Sequence, residues 1–396
     1  MSIWKKILYA AVLSFLFIFL YSCSQKGVPV LKRENLFNLN IGKIDNEMDI
    51  FQVQGRALTA KNRIFMKNGI FYIANGNSGK VMEFSSYGDL IFMIYNPSMN
   101  TKPVLLNTDT LKKTQTTRRA VKYNFYRIGE IGVDNKNDLW IEDSVSEDKY
   151  VKDKKGGIIL TKVVRHFSRD GKLINYIGQE GIGGTPFPFI ENLYITSQSE
   201  PVVVSRAPAE WEIFWFYNSG ELRYHVRIDE SHLPYISSSH NDKAEISRIT
   251  ADYKSPILYL AVSYFKDIID PSTHARSGVK KTGAFIYALN LNTGKYTKVM
   301  DIPGNEQIKE VLGTREIRIP GPSYELLGIT ETRFIFLIRN EGLNKYRLLI
   351  KKIGSGENGS FTNSESTAGK APKIGISITK NITIEDTALH FKYITL

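Results

Sequence analysis

Short apolar segments, each centred on an aromatic residue, recur along this chain of 396 residues. Consecutive apolar positions predict strands that are buried on both faces. No stretch of about 12 residues after the N-terminal segment keeps a helical period, whereas alternating, β-branched and aromatic runs are frequent. The pattern predicts an all-β chain whose main strands contain Phe71-Tyr72-Ile73, Leu139-Trp140-Ile141, Leu193-Tyr194-Ile195, Leu258-Tyr259-Leu260 and Ile335-Phe336-Leu337.

A second strand and a tight turn follow in most copies of this unit. The segments 84–90, 167–173 and 216–222 share the pattern Phe-x-x-x-Gly-x-Leu, and 292–296 is a looser fourth copy. Glycine stands where a hairpin needs a positive φ, and the apolar residue after it begins the next strand. The sequence therefore predicts a repeated hairpin.

Strands buried on both faces, in units repeated around a ring, are typical of a β-propeller. The central aromatic residues lie farther apart than the roughly 40–50 residues of an ordinary blade, so we expect long inserts, among them 266–281. Strand-like runs near both ends predict that the termini share a blade, which removes free sheet edges. We therefore predict a β-propeller of about six blades, with five and seven as alternatives.

The N-terminal segment has the features of a secretory signal. Two lysines, an apolar run from Ile7 to Tyr21 and the small Ser22 precede Cys23, the only cysteine in the chain. The apolar run is short for a membrane span, although an uncleaved anchor is the alternative. Leu20-Tyr21-Ser22-Cys23 resembles the bacterial lipobox, which implies cleavage before Cys23 and a lipid-bearing N-terminus. We expect a signal peptide at 1–22, a lipidated tether at 23–34 and a propeller over 35–396, with a flexible loop at 354–370.

Two blades resemble a known repeat. Ile131-Gly132-Val133-Asp134, followed by Leu139–Asp143, resembles the NHL-type propeller repeat, as does Ile70–Asn75 followed by Gly79–Phe84. This resemblance implies a fold and no particular function. In its propeller architecture and its predicted membrane location alone, such a lipoprotein also resembles the BamB-type lipoproteins, which bind the outer-membrane barrel-assembly machinery without catalysis. No binding residues carry over from that likeness.

The chain is basic, with 52 Lys and Arg against 40 Asp and Glu and a formal charge of +12. An exported protein rarely meets nucleic acid, so we expect no nucleic-acid partner. Anionic lipid headgroups or an envelope polyanion fit better. The alternative is that the basic clusters at 112–122, 149–155 and 276–281 are solvated loops.

Residue types with catalytic spacing are scarce. The histidines have no partner at helical metal spacing, and phosphate-loop and nucleophile-elbow patterns are absent. We therefore expect no cofactor, metal or catalytic residue. His232 and His240 flank a serine-containing loop and are the histidines better placed for a ligand. A propeller enzyme would use channel-facing groups, for which the candidates are Asp134, Glu142, Asp143, Asn192 and Glu200.

The sequence thus favours a non-catalytic propeller lipoprotein, held at a bacterial membrane by Cys23 and binding a protein of the cell envelope. The outer membrane is the expected location, and outer-membrane protein assembly is a candidate role. Trp211 and Trp215, with Arg206 nearby, are the candidate interface residues because aromatic and Arg side chains dominate interfaces. Packing inside a blade is their alternative role. A metal-dependent hydrolase or lyase acting on a sugar or lactone, and a surface adhesin, are the other two functions.

Overall fold

In a computed structural model, the described residues of the chain form β-strands and two short 3-10 helices. The structure describes residues 32–51, 60–108, 118–153, 157–208, 210–234, 243–304, 306–311, 315–320, 323–340, 345–353, 378–379 and 388–395. Cys23, the signal peptide, the loop at 354–370 and His240 lie outside these residues. Asn35–Lys392 form one compact unit; of the other, Met1–Glu34 with Tyr393–Leu396, only 32–34 and 393–395 are described.

The first two large sheets have five strands each. Blade 1 contains, in this order across the sheet, β2 (Asn62–Lys67), β3 (Ile70–Asn75), β4 (Lys80–Phe84), β5 (Leu90–Tyr95) and β6 (Arg119–Lys122). Blade 2 contains β7 (Ile131–Val133), β8 (Leu139–Ser144), β11 (Lys162–Phe167), β12 (Leu173–Gly178) and β13 (Gly181–Ile182). Neighbouring strands are antiparallel, except that β5 and β6 are parallel.

The other three large sheets have four strands each. Blade 3 contains β14 (Phe189–Ile195), β15 (Pro201–Arg206), β16 (Trp211–Phe216) and β17 (Leu222–Ile228). Blade 4 contains β18 (Lys243–Ala251), β19 (Ile257–Ile269), β20 (Arg276–Asn290) and β21 (Lys295–Asp301). Blade 5 contains β24 (Glu325–Ile329), β25 (Arg333–Asn340), β26 (Lys345–Lys352) and β27 (Ile378–Thr379).

Three small sheets accompany the blades. They pair β1 (Lys32–Asn40) with β28 (Ala388–Thr395), β9 (Val151–Lys152) with β10 (Ile159–Leu160), and β22 (Glu306–Val311) with β23 (Arg315–Pro320). The 3-10 helices are η1 (Glu147–Lys149) and η2 (Glu230–His232). Within the described ranges, no helix has the length and apolar character needed to cross a membrane.

The blades follow one another around a propeller. The first strand of each blade contacts that of the next, in the order β2, β7, β14, β18 and β24. The prediction of an all-β propeller is confirmed, and the five blades fall within the predicted five to seven. The first and last described strands, β1 and β28, pair as a two-stranded sheet, where we expected a complete shared blade.

The core consists of apolar layers between successive sheets. The middle strands β3, β8 and β16 are buried along nearly their whole length, because each face of these strands meets a neighbouring element. Four layers join blades 1 to 5, and a fifth joins β1 to blade 1. Representative pairs within these layers are Phe92 with Phe167, Trp140 with Phe214, Trp215 with Leu260, Tyr259 with Phe334, and Phe37 with Phe71.

The repeated hairpins are present and join the third and fourth large strands of blades 1 to 4. Their glycines, Gly88, Gly171, Gly220 and Gly294, all have positive φ, as predicted. Two of these turns lie against the preceding blade. A Cβ at Gly171 would lie 2.7 Å from the ring of Phe92 in blade 1, and one at Gly220 would lie 2.8 Å from Ile182 in blade 2.

In the third unit, the aromatic segment lies on a different strand of the blade from the one it occupies in the other four units. Four of the aromatic segments lie on the second strand of a blade, as Tyr72 does on β3, whereas Leu193-Tyr194-Ile195 lies on β14, a first strand. The second strand of blade 3 is β15, whose apolar centre is Val202-Val203-Val204. Valine also has high β-propensity and fills a buried strand, so the aromatic signature is lost there while the strand is kept.

Candidate functional site

The candidate interface residues lie in blade 3, and two of them are buried. Trp211 and Trp215 on β16 are 2% and 1% exposed and belong to the apolar layer between blades 3 and 4. The indole NH of Trp215 donates to Glu200 Oε2 at 2.8 Å. Arg206 is exposed and lies over the ring of Trp211, 4.9 Å from its centroid. Both tryptophans therefore take the packing role that the sequence left open as the alternative.

Glu142 has the most elaborate surroundings of the proposed channel residues. Its side chain on β8 is fully buried, and its Oε2 accepts hydrogen bonds from Lys61 Nζ at 2.8 Å and from the amide of Glu130 at 2.9 Å. Its Oε1 lies 3.3 Å from Lys162 Nζ, an ion pair without the direction of a hydrogen bond. Gly129 packs so closely against this carboxylate that a Cβ there would overlap it.

Lys61 extends this cluster to a third blade. It precedes β2 of blade 1, and its ammonium also donates to the carbonyl of Ile190 on β14 at 2.5 Å. The same ammonium lies 4.6 Å from the ring centroid of Phe189. Arg63 on β2 donates from Nε to both carboxylate oxygens of Glu130, at 2.8 and 2.9 Å. Three blades thus meet at one network of buried and half-buried charges.

The remaining channel candidates are bound within their own surroundings. Asp143 accepts two backbone amides at Oδ1 and Arg165 Nε at Oδ2, 2.8 Å away. Glu200 holds Arg223 at 2.6 Å in addition to Trp215. Asn192 accepts from Arg248 at 3.2 Å. These side chains are at separate places in the blades, and each is engaged in holding a neighbour in position.

The histidine loop and the surface cavities offer little for chemistry. His232 ends the helix η2, and the residues between Pro234 and Lys243 lie outside the described part of the chain. An open cavity of about 480 Å³ is lined by Pro97, Lys122, Tyr123 and Asn124. These four side chains include no carboxylate or imidazole.

Burial shifts the pKa values of Lys80 and Glu83 on β4 toward neutrality. Burial lowers the pKa of Lys80 to about 8, although three nearby carboxylates oppose the shift. Its ammonium donates to the carbonyl of Ile44 at 2.6 Å and so holds the segment after β1. Burial raises the pKa of Glu83 on β4 to about 7, only partly offset by Arg119 and Arg169.

A long two-stranded ribbon extends from blade 4. Strand β18 pairs with β19 only as far as Phe265, and β21 pairs with β20 only from Phe285 onward. Within the described sheet, residues 266–269 therefore pair only with residues 276–280, and Lys281 pairs with Phe265 next to them. We call the segments 266–269 and 276–281 the ribbon. They lie within the predicted insert at 266–281.

The ribbon combines apolar and basic exposed side chains. Ile268, Ile269 and Val279 are each about half exposed, at 46%, 50% and 47%. Over 266–281 there are four basic residues and two acidic ones, which gives 4 − 2 = +2. Asp270 closes the turn by accepting hydrogen bonds from the Ser272 hydroxyl and from the amides of Ser272 and Thr273. These hydrogen bonds lower the pKa of Asp270 to about 2. Asp267 lies 2.9 Å from Arg276 and 3.0 Å from Lys243, so it links both strands of the ribbon to β18.

Comparisons with known proteins find likenesses among solved structures only. No family model matches the sequence, and no curated protein matches it. A member of the DUF4221 family from Bacteroides vulgatus is 9% identical, with 82% of this chain and 99% of that chain covered and a TM-score of 0.35. A protein of unknown function from Bacteroides caccae is 11% identical, covering 56% of this chain and 66% of the other, with a TM-score of 0.27. A mannose phosphorylase from Leishmania mexicana is 10% identical, with 71% and 81% covered and a TM-score of 0.26. Likenesses this weak carry no argument about activity.

Replacing Glu142 by alanine leaves two lysine ammonium groups without their shared anion in a poorly solvated place. We expect Glu142→Ala to lower the free energy of unfolding by about 3–5 kcal/mol, the usual loss when one partner of a buried ion pair is removed. Urea unfolding followed by circular dichroism measures the change. Glu331→Ala is the control, because its pair with Lys254 is exposed, and it should cost less than about 1 kcal/mol. Equal losses in the two variants would contradict the structural role of the network.

Glu83 makes the stability depend on pH. Its folded-state pKa of about 7 lies above the ordinary value of 4.5, so folding favours the protonated form. This contribution is fully present below about pH 4.5 and is lost as the pH rises through 7. We expect Glu83→Gln to match the wild type at pH 4 and to exceed it by about 3 kcal/mol at pH 8, because a rise of roughly 2.5 pKa units corresponds to roughly 1.4 kcal/mol for each unit. Urea unfolding at the two pH values measures this, with the exposed Glu221→Gln as control. A pH-independent difference would show that Glu83 ionises normally.

Proposed function

We propose that this chain is a lipid-anchored, non-catalytic β-propeller that binds a protein partner in the bacterial cell envelope. The observation that carries the proposal is the exposed ribbon of blade 4. Exposed apolar side chains on a strand beyond the edge of its sheet favour association, and natural proteins usually blunt such edges. Here the apolar residues Ile268, Ile269 and Val279 remain exposed.

The chemistry of the ribbon indicates the kind of partner surface that fits. Three apolar side chains provide area to bury, and the net charge of +2 over 266–281 favours a partner that is acidic around an apolar centre. The turn bonds of Asp270 and the pairs of Asp267 reduce the freedom that the ribbon loses on binding. We therefore propose an acidic and partly apolar protein surface as its ligand.

The engagement of the polar side chains supports a non-catalytic role. Glu142, Asp143 and Glu200 are each held by cations or amides inside the blades. A general acid or base needs access to a substrate atom and a pKa suited to transfer. Buried carboxylates bound by lysine and arginine are better suited to holding strands and blades together than to proton transfer.

The proposed membrane location and cellular role rest on the sequence. A lipid on Cys23 would tether the propeller to a membrane, with the outer membrane as the proposed location. Outer-membrane protein assembly, with the barrel-assembly machinery as partner, is the process we propose on the architectural likeness to the BamB-type lipoproteins.

The lipid anchor depends on a single thiol. We expect Cys23→Ala to abolish incorporation of radiolabelled palmitate and to leave the signal segment uncleaved, since no other residue can form the thioether. Gel mobility and labelling in growing cells measure both effects, and Ser24→Ala should behave as wild type. Labelled palmitate in the Cys23→Ala chain, or none in the wild type, would exclude this anchor.

The ribbon is tested by cross-linking in the intact envelope. A photoreactive amino acid at Ile268 of the full chain should give a discrete adduct with one envelope protein, and one at the half-exposed Tyr217 should not. Adding Lys280→Glu should lower the adduct yield several-fold through charge repulsion, whereas the exposed Lys172→Glu should leave it unchanged. An adduct pattern that is the same from both positions would count against a docking role for the ribbon.

A further inference from the structure

Three polar atoms without partners lie in a row across one face of blade 2. Trp140 on β8, His166 on β11 and Asn175 on β12 are opposite one another in register, so their side chains share a face. Trp140 Nε1, His166 Nε2 and Asn175 Oδ1 are buried and have no hydrogen-bond partner among the described residues. Because buried polar atoms are nearly always paired, the unpaired nitrogen of His166 points to a ligand.

The imidazole of His166 is held in a fixed orientation. Its ring stacks on that of Trp140 with centroids 3.8 Å apart and planes 9° from parallel, and the residue is only 9% exposed. Burial lowers the pKa of His166, opposed by the nearby Asp138 and Asp134. A neutral imidazole presents a lone pair, the form in which histidine binds metal ions.

Two carboxylates lie beside this nitrogen, in the turn between β7 and β8. Oδ1 of Asp134 accepts the amides of Lys136 and Asp138 at 2.8 and 3.0 Å, which fixes the turn. Oδ1 of Asp138 accepts the amide of Arg169 at 2.8 Å, and its Oδ2 lies 3.7 Å from His166 Nε2, too far for a hydrogen bond. One oxygen of each carboxylate and a nitrogen of the imidazole all lie within 4.8 Å of one another.

We propose that Asp134, Asp138 and His166 form a binding site for a divalent transition-metal ion of the zinc class. A mixed set of imidazole nitrogen and carboxylate oxygen suits Zn²⁺, Co²⁺ or Mn²⁺, whereas Ca²⁺ and Mg²⁺ prefer oxygen ligands alone. Ligand atoms of a tetrahedral zinc site lie about 3.4 Å apart at metal–ligand distances of about 2.1 Å. Because the three ligand atoms lie within 4.8 Å of one another, each pair has to close by at most about 1.4 Å, and the two carboxylates balance the charge of the ion.

The surrounding charges set the expected strength of the site. Lys67 donates to the carbonyl of Val133 at 3.3 Å and to Asn135 Oδ1 at 3.0 Å, and Lys136 lies in the same turn, so two cations weaken metal affinity. Since only three protein ligands are present, we expect micromolar rather than tighter binding. The bound ion connects Asp134 and Asp138 in the β7–β8 turn to His166 on strand β11.

The site also bears on the contact between blades 2 and 3. The amide of Asn135, in the same turn, donates to Ser199 Oγ at 3.1 Å, and its side-chain Nδ2 donates to the carbonyl of Ser197 at 2.6 Å. An ion held by the residues on either side of Asn135 restrains this turn and therefore the inter-blade contact. The inference is independent of the proposed ribbon partner.

Cobalt titration of the full chain, purified in detergent without a polyhistidine tag, tests the site. We expect one saturable Co²⁺ site, seen as quenching of Trp140 fluorescence, because Trp140 stacks on the proposed ligand, and as a visible d–d absorption band. Zn²⁺ should displace Co²⁺ and raise the melting temperature, and Ca²⁺ and Mg²⁺ should do neither. Asp138→Asn and His166→Gln should each weaken binding at least tenfold.

His225 provides a matched control. It stacks on Phe214 at 4.3 Å and lies 3.6 Å from Glu212, but Arg227 shares that single carboxylate. His225→Gln should leave Co²⁺ affinity unchanged. Absence of saturable quenching below millimolar Co²⁺, or unchanged affinity in a folded Asp138→Asn chain, would overturn the proposal.

Discussion

Every blade of this protein depends on burying both faces of its sheet against something else. Middle strands such as β3, β8 and β16 are apolar on consecutive positions, so an isolated blade would leave both of its apolar faces in water. Stacking five sheets around a ring buries the faces that lie between neighbouring blades. At one end of the series the strand β1 covers blade 1, where Phe37 packs edge-on against Phe71 with ring centroids 5.3 Å apart.

Charges are placed inside this apolar stacking at a few points, and there they join blades. The network around Glu142 connects the chain before β2, the strands of blade 2 and the backbone of β14. A buried ion pair of this kind contributes little net free energy compared with an apolar pair, but removing one partner is costly. It therefore favours one alignment of three blades over others in which the lysines would lack an anion. Glu83 is a contrasting case, since its buried carboxyl responds to pH.

The sequence pattern predicts the fold well because strand burial and turn geometry are local properties. Gly171 and Gly220 take positive φ where the Phe-x-x-x-Gly-x-Leu pattern required it. The phase of the third unit was wrong because β15 uses valine where other blades use an aromatic residue. The cations around Glu142 could not be found this way, since Lys61 is 81 residues from it in the chain. Trp211 and Trp215 illustrate the same limit: a local pattern does not reveal which side of a strand the next blade will cover.

Three of the repeated turns lie against an element that precedes them in the chain, which has a consequence for how the protein is made. Gly88 packs on Phe37 of β1, Gly171 on Phe92 of blade 1 and Gly220 on Ile182 of blade 2. The surface that shapes each of these hairpins has therefore been synthesised before the hairpin itself. Contacts between adjacent repeats are short in sequence and can form in succession, as in other repeat architectures. A chain that emerges N-terminus first can thus form the hairpins of its first three blades in order, each against an element that has already been synthesised.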